Sequence, residues 1–130
     1  MNSFTSLRII TADVARLVAF YELVADTRAD WATDLFAEVR TPAARIALAG
    51  PPTLAPFGIE AVPASNRSVI IELRVDDVDA EFARITDHVD LVQAPRTMPW
   101  GNRSLLFRDP DGNLVNLFTP VTPEAVARFS

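Results

Sequence analysis

Three polar side chains interrupt segments of the sequence that are otherwise apolar, and each could take part in binding or catalysis. Arg8 lies in SLRII, Glu72 lies in VIIELRV, and Asn116 lies in NLVNLF. A guanidinium binds anionic or carbonyl oxygens, a carboxylate binds donors or carries a proton, and an amide both donates and accepts. Arg8 and Glu72 could be solvated surface charges, a buried structural pair, or groups that recognise a ligand.

Aromatic residues in separate segments could form the apolar wall of such a site. They are Trp31, Phe36, Trp100 and Phe118. Small-molecule sites are mostly apolar with a few convergent polar groups, and this combination would supply both. Core packing is the simpler interpretation of each aromatic residue. Trp100 is harder to assign to the core because it stands beside Gly101 in the loop TMPWGN, close to the expected mouth of the site, where Arg103 and Ser104 are weaker candidates.

The composition excludes several kinds of active site. The 130-residue chain has no cysteine and a single histidine, His88, which we place at the end of a helix. It therefore has no thiolate nucleophile and cannot supply two histidines to a metal site within one chain. The net charge of -5 and the lack of a basic patch argue against nucleic acid and membrane surfaces as partners. No secretory signal or bilayer-length apolar run is recognisable, so we expect a cytoplasmic location.

An internal repeat predicts the elements that position these residues. In each half, a strand precedes a helix that begins at an Asp-Val pair, and Asp77 comes 64 positions after Asp13. Aspartate at a helix start accepts hydrogen bonds from the first N–H groups, and apolar residues follow at helical spacing. Three strand-like segments then follow each helix. The sequence predicts two strand–helix–strand–strand–strand modules at about 1–50 and 67–120, a proline-rich connector at 51–66, and a helical tail at 121–130.

The segment LLFRDPDGNLVNLF, residues 105–118, predicts a hairpin. Its Asp-Pro-Asp-Gly centre suits a tight turn, because proline fixes φ, aspartate bonds nearby backbone and glycine accepts a positive φ. In the second strand, Asn116 shares a face with Leu114 and Phe118. Asn116 is a candidate site residue if that face borders a cavity, and a satisfied core amide if it borders packed side chains. Farther along, Thr122 before Pro123 predicts a helix start.

The chain resembles the vicinal oxygen chelate superfamily, which includes glyoxalase I, bleomycin-resistance proteins and extradiol dioxygenases. The resemblance rests on ITADVARLVAFY, LRVDDVDAEF and PWGNRSLLFRDPDGNLVNLF, and it covers nearly the whole chain. It implies an α+β fold in which two βαβββ modules form a cupped, eight-stranded mixed sheet with helices outside. The concave face would hold the site. Fold alone does not fix function.

The same resemblance implies positions for the ligands of a divalent metal. They fall on Ser6, Ile70, Asn116 and a residue near the end of RIALAG, either Ala47 or Leu48. None of these is an acid or an imidazole, although such a cation needs several anionic or imidazole donors. We therefore expect no metal cofactor and find glyoxalase or dioxygenase activity disfavoured.

The pseudo-twofold symmetry of that family would bring Arg8 and Glu72, which are 64 positions apart, near one another. We predict that both line the floor of the cup, where they could pair directly or recognise a ligand. The amide of Asn116 would then bond one of these two side chains or a bound molecule, and we prefer the structural partner.

The function that we infer is metal-independent binding of a small apolar or aromatic molecule, as in drug sequestration or sensing, by a homodimer. The predicted ligand-binding residues are Arg8, Glu72, Asn116, Trp100, Phe118 and Trp31. The alternative is an isomerase, lyase or dioxygenase that uses unconventional ligands or acid–base residues. A third possibility is an interaction module whose cup is filled by its own side chains.

Overall fold

The computed structural model describes residues 1–130, which form two four-stranded sheets, three α-helices and two 3-10 helices. The α+β class and the two βαβββ modules predicted from the sequence are confirmed. The chain divides into two compact units, Met1–Asn66 and Arg67–Ser130. The elements of the first unit are β1 (Ser6–Ile10), α1 (Val14–Ala25), β2 (Asp30–Thr33), β3 (Phe36–Arg40), β4 (Arg45–Ala49) and a 3-10 helix (Pro51–Phe57). The elements of the second unit are β5 (Ile70–Arg74), α2 (Val78–Ile85), a 3-10 helix (Thr86–His88), β6 (Asp90–Thr97), β7 (Asn102–Arg108), β8 (Leu114–Pro120) and α3 (Pro123–Arg128).

The first sheet has the strand order β1-β4-β3-β2, in which only β1 and β4 are parallel. One face of this sheet is covered by α1, whose stripe of Leu17, Val18 and Tyr21 is almost completely buried. The helix begins where expected, because the Asp13 side chain accepts a hydrogen bond from the Arg16 backbone N–H at 3.1 Å. It ends at Asp26, whose φ of 52° marks a left-handed C-cap.

The second sheet repeats this topology, with the order β5-β8-β7-β6 and a parallel pair of β5 and β8. Its buried apolar residues include Leu105, Phe107 and Leu117, and α2 contacts the strands that carry them. The Asp77 side chain caps α2 by accepting from the N–H groups of Asp79 and Ala80, both at 3.1 Å. The same strand order in both halves is the outcome expected of a duplicated module.

The β7–β8 hairpin has the predicted turn, and a buried aspartate organises it. The Asp109 carboxylate accepts from the backbone N–H groups of Asp111 and Asn113 and from the Asn113 side chain, at 2.8–2.9 Å. Gly112 has a φ of +85°, which explains the preference for glycine there. The turn therefore fixes the register that sets which residues of β8 face which side.

Three other local features bear on the sequence predictions. A 3-10 helix, Pro51–Phe57, occupies the first half of the segment that we predicted to be a proline-rich connector. Its prolines fit a short helix because Pro51 and Pro52 begin it, where no backbone donor is required. His88 ends a 3-10 helix that directly follows α2, as predicted. None of the helices has the length and apolar character needed to cross a membrane.

Candidate functional site

The second sheet brings Glu72 and Asn116 together. They lie opposite one another on the parallel strands β5 and β8, and Asn116 Nδ2 donates a hydrogen bond to Glu72 Oε2 at 2.8 Å. Side chains directly opposite in a ladder lie on the same face, which places this pair on the face opposite α2. The structural partner preferred for the Asn116 amide is thus present.

Asn116 is only half satisfied by this bond. Its side chain is buried, with the residue 9% exposed, and its Oδ1 atom has no hydrogen-bond partner. Glu72 is exposed, whereas Ile71, which precedes it, is buried under the α2 side of the sheet. Because apolar and polar residues alternate in VIIELRV, the Glu72 carboxylate lies on the exposed side of β5. The buried acceptor Asn116 Oδ1 lies beside it.

We refer to this surface, made by Ile70, Glu72, Arg74, Asn116, Phe118 and Ser104, as the Glu72 face. Ser104 enters it because β7 pairs Ser104 with Phe118. Ser104 is 4% exposed and its Oγ atom has no hydrogen-bond partner. Two positions earlier on β7, Asn102 is 8% exposed, and its Oδ1 atom is also without a partner. The sequence analysis pointed weakly to Ser104 and not at all to Asn102. The two residues are two positions apart on one strand, so pairing of Ser104 with Phe118 places both on this side.

Phe118 reaches the Glu72 face, but another residue of the same unit covers it. Its ring lies 5.1 Å from that of Phe129, centroid to centroid, with the planes tilted by 52°. Arg74, which pairs with Phe118 across the β5–β8 ladder, donates from Nη1 to the Phe129 carbonyl oxygen. Phe118 is consequently 7% exposed.

Trp100 lies in the turn between β6 and β7 rather than on a strand. Its residue is 55% exposed, and its carbonyl oxygen accepts a hydrogen bond from Arg128 Nη2 at 3.1 Å. The following residue, Gly101, has a φ of +94° and accepts from the N–H groups of Val121 and Thr122. The turn is therefore joined to the start of α3, at the same end of β8 as Phe118.

Arg103 is a structural residue on the other side of the sheet. Its guanidinium binds the Asp79 carboxylate of α2 at 2.8 and 3.0 Å. This hydrogen bond holds the pKa of Asp79 below its usual range and raises the pKa of Arg103. The pair ties α2 to β7 and takes no part in the Glu72 face.

In the first unit, Arg8 lies on the face of the sheet opposite α1. It pairs with Ala47 on β4, and its guanidinium carbon sits 5.1 Å from the centre of the Phe36 ring, in a cation–π contact. No carboxylate of this unit forms an ion pair with it, since Glu38 and Asp30 are engaged by Arg45 and Arg40. The guanidinium donors of Arg8 thus have no anionic partner in the first unit.

The register of the first sheet does not bring Trp31 to the Arg8 side. Trp31 pairs with Ala37, which pairs with the fully buried Leu48 on the side that α1 covers. Trp31 is 46% exposed at the outer strand of the sheet. Its indole therefore lies on the opposite face of the sheet from Arg8.

The residues at the positions of the implied metal ligands do not fit a divalent cation. In the first unit, Ser6 pairs with Arg45, and Leu48 is buried in the apolar layer beneath α1. In the second unit, Ile70 pairs with Leu114, and the Asn116 amide already donates to Glu72. No group of three or more His, Cys, Asp or Glu side chains is arranged to hold a metal ion. One carboxylate and one amide oxygen are too few donors for such a site.

Comparison with known proteins decides the family. A family model described as "Glyoxalase/Bleomycin resistance protein/Dioxygenase superfamily" matches residues 3–117. The chain belongs to this superfamily. The sequence resemblance is thereby confirmed, and the superfamily fold accounts for the repeated strand order of the two sheets. No curated protein matches the chain.

Several solved structures share the fold. A "conserved domain protein" is 28% identical, with a TM-score of 0.73, and the match covers 92% of this chain and 99% of that one. A superfamily member from Sphaerobacter thermophilus is 25% identical, with a TM-score of 0.69 and coverage of 92% and 98%. A glyoxalase/bleomycin resistance protein/dioxygenase from Nocardioides is 21% identical, with a TM-score of 0.77 and coverage of 95% and 86%. The last likeness concerns the fold alone.

Proposed function

We propose that this superfamily member binds a small, partly apolar molecule on the Glu72 face without a metal ion, in the manner of a sequestering or sensing protein. The observation that carries the proposal is the buried Oδ1 atom of Asn116, which has no partner although it lies beside a carboxylate. A buried acceptor without a partner costs about 1–3 kcal/mol, and a ligand donor would recover part of this free energy.

The chemistry of the face specifies the kind of ligand. Glu72 is exposed and uses one oxygen for Asn116, so its other oxygen and Asn116 Oδ1 are both acceptors. A ligand with an N–H or ammonium group would bind the exposed carboxylate of Glu72, and Asn116 Oδ1 would be reached when the side chains that cover it move aside. Ile70, which is 50% exposed, offers apolar area next to these acceptors on the same strand. We therefore propose a donor-bearing molecule with an apolar or aromatic body.

The test uses matched pairs of fluorinated aromatic compounds, one member carrying an aminomethyl group and the other a methyl group. Binding is measured by ¹⁹F NMR on protein treated with EDTA. We expect the amine to bind more tightly, and Glu72→Gln to weaken its binding about tenfold or more because a charge-assisted hydrogen bond is lost. Glu60→Gln is the control, since Glu60 is an exposed glutamate of the first unit.

Two results contradict the proposal. Binding that appears only after a divalent metal is added would show that the metal-independent interpretation is wrong. Equal affinities of the Glu72→Gln and Glu60→Gln variants would remove the Glu72 face as the binding site.

A second candidate function is acid–base catalysis, as in an isomerase or lyase. It is favoured by the fixed orientation of the Glu72 carboxylate, which one bond to Asn116 holds while leaving an oxygen able to carry a proton. Any compound found to bind would be incubated with protein and followed by NMR for conversion. Turnover that Glu72→Gln abolishes while affinity stays measurable would favour the enzyme over the binding protein.

The homodimer predicted from the sequence remains a proposal, for which light scattering coupled to size exclusion is the test.

A further inference from the structure

Phe129 covers part of the Glu72 face in a way that a bound ring would. It comes eleven positions after Phe118, beyond α3, and the two rings are 5.1 Å apart. Centroid distances of 4.5–7 Å are those at which aromatic pairs attract one another. The face thus has an aromatic subsite whose present occupant is a side chain of the same unit.

The segment that carries Phe129, residues 121–130, is held less firmly at its end than at its start, where Gly101 accepts hydrogen bonds from the Val121 and Thr122 N–H groups. The six-residue helix α3 is too short to be stable by itself, and Ala125 is its only buried side chain. Two arginine side chains fix its end: Arg74 donates to the Phe129 carbonyl and Arg128 donates to the Trp100 carbonyl. Both bonds are exposed to solvent, so local opening of this segment costs far less than global unfolding.

Next to this subsite lies a polar group with no partner. Ser104 pairs with Phe118 in the β7–β8 ladder, and its Oγ atom is buried without a hydrogen bond. A hydroxyl group so placed can accept from a ring N–H that takes the place of Phe129. A phenylalanine ring has no donor and leaves Ser104 unsatisfied.

We propose that Phe118 and Ser104 form a subsite for an aromatic ring bearing a hydrogen-bond donor, and that Phe129 is an internal competitor which must withdraw before this ring binds. The inference rests on the proposed function and adds the class of ligand group and the way in which access is controlled. Segment 121–130 then acts as a strap over the site.

Indole and benzofuran are the probes, because benzofuran has the same shape with an oxygen in place of the N–H. We expect Phe129→Ala to bind indole about two- to tenfold more tightly than the wild type, since no aromatic pair has to be broken. Ser104→Ala in the same background should lower indole affinity by about two- to tenfold and leave benzofuran unchanged. Circular dichroism and melting curves establish that each variant is folded.

A second measurement follows the strap itself in the wild-type protein. Trypsin cleaves after Arg128, and withdrawal of the strap should expose that bond. Saturating indole is therefore expected to accelerate cleavage of the bond after Arg128 several-fold, as followed by mass spectrometry. Arg128→Met, which removes the bond to the Trp100 carbonyl, should raise indole affinity in the same direction as Phe129→Ala.

The outcomes separate this inference from the proposed function. If Phe129→Ala leaves the indole affinity unchanged or lowers it, Phe129 is not an internal competitor. The same conclusion follows if indole protects the bond after Arg128 from trypsin. Neither result affects amine binding at Glu72, which is contradicted instead by metal-dependent binding or by equal affinities of the Glu72→Gln and Glu60→Gln variants.

Discussion

Asn116 Nδ2 donates to Glu72 Oε2 at 2.8 Å, and this bond joins two neighbouring parallel strands on the side of the second sheet that faces away from α2. It leaves the other atom of the amide, Oδ1, buried without a partner. A bond that satisfied only packing requirements would be expected to leave no such atom, since most buried polar groups are paired. A mutation that removes Asn116 Oδ1 can therefore test whether this amide contributes more to ligand binding than to stability.

Asn116→Leu should affect binding much more than stability. Leucine has the same branching at Cγ and the same number of side-chain heavy atoms, and it removes the buried acceptor, while Glu72 is exposed and can be hydrated in place of the lost amide. We expect the free energy of unfolding to change by no more than about 1 kcal/mol, and binding of donor-bearing ligands to be lost. Urea denaturation and ¹⁹F NMR provide the two measurements. A loss of several kcal/mol in the free energy of unfolding would show that the main role of Asn116 is structural.

Gly101→Ala should be strongly destabilising. Gly101 has a φ of +94°, and an added Cβ would lie 2.1 Å from Thr122 Oγ1, the atom that caps α3. Gly112→Ala is the matched control, because Gly112 has a φ of +85° but nothing within 4 Å of the added Cβ. We expect Gly112→Ala to cost about 1 kcal/mol of backbone strain and Gly101→Ala about 1–2 kcal/mol more. Equal losses in chemical denaturation would show that the clash is relieved without cost.

Asp109→Ala should destabilise the β7–β8 hairpin. Three hydrogen bonds from the turn converge on this buried carboxylate, and alanine would leave the donors without a partner. We expect a loss of about 2–4 kcal/mol in the free energy of unfolding. Asp87→Ala, at an exposed position, should change it by less than about 0.5 kcal/mol. Faster hydrogen exchange of the β8 amides would show that the effect is local to the hairpin.

The Asp79–Arg103 pair should give a pH-dependent contribution to stability. Hydrogen bonding to Arg103 lowers the pKa of Asp79, so the contribution is present above the pKa of an unfolded aspartate and disappears as the pH falls through the lower folded pKa. Arg103→Met should therefore be less stable than the wild type at pH 7, with the difference closing below about pH 4. Urea unfolding from pH 7 downward measures this, and Arg28→Met is the control. A difference that persists in acid, or that 1 M salt leaves unchanged, would point to packing rather than charge.

Much of the fold follows from signals that are local in sequence. The Asp-Val pairs at residues 13 and 77 are followed by helical spacing of apolar residues, and these features gave both helix starts. Asp-Pro-Asp-Gly fixed the hairpin and therefore the side on which Asn116 lies. The chemistry of such motifs is contained within a few residues, so no tertiary information was needed to interpret them.

The parts that sequence reasoning missed depend on register or on distant packing. The face occupied by Trp31 depends on pairing with Ala37 next to an irregularity in the β2–β3 ladder, and a shift of one residue reverses the side. The contact of Phe129 with Phe118 has no periodic signal, because it forms beyond a short helix. The 3-10 helix Pro51–Phe57 was not predicted, because its prolines suggested a connector without regular periodicity.

Every pair of hydrogen-bonded strands lies within one half of the chain. The first four strands pair only among themselves, and so do the last four. A chain interrupted between Gly58 and Asn66 would therefore lose no sheet hydrogen bond. The protein can therefore be studied as two fragments: each carries a complete sheet, and the second carries every residue of the Glu72 face together with Phe129.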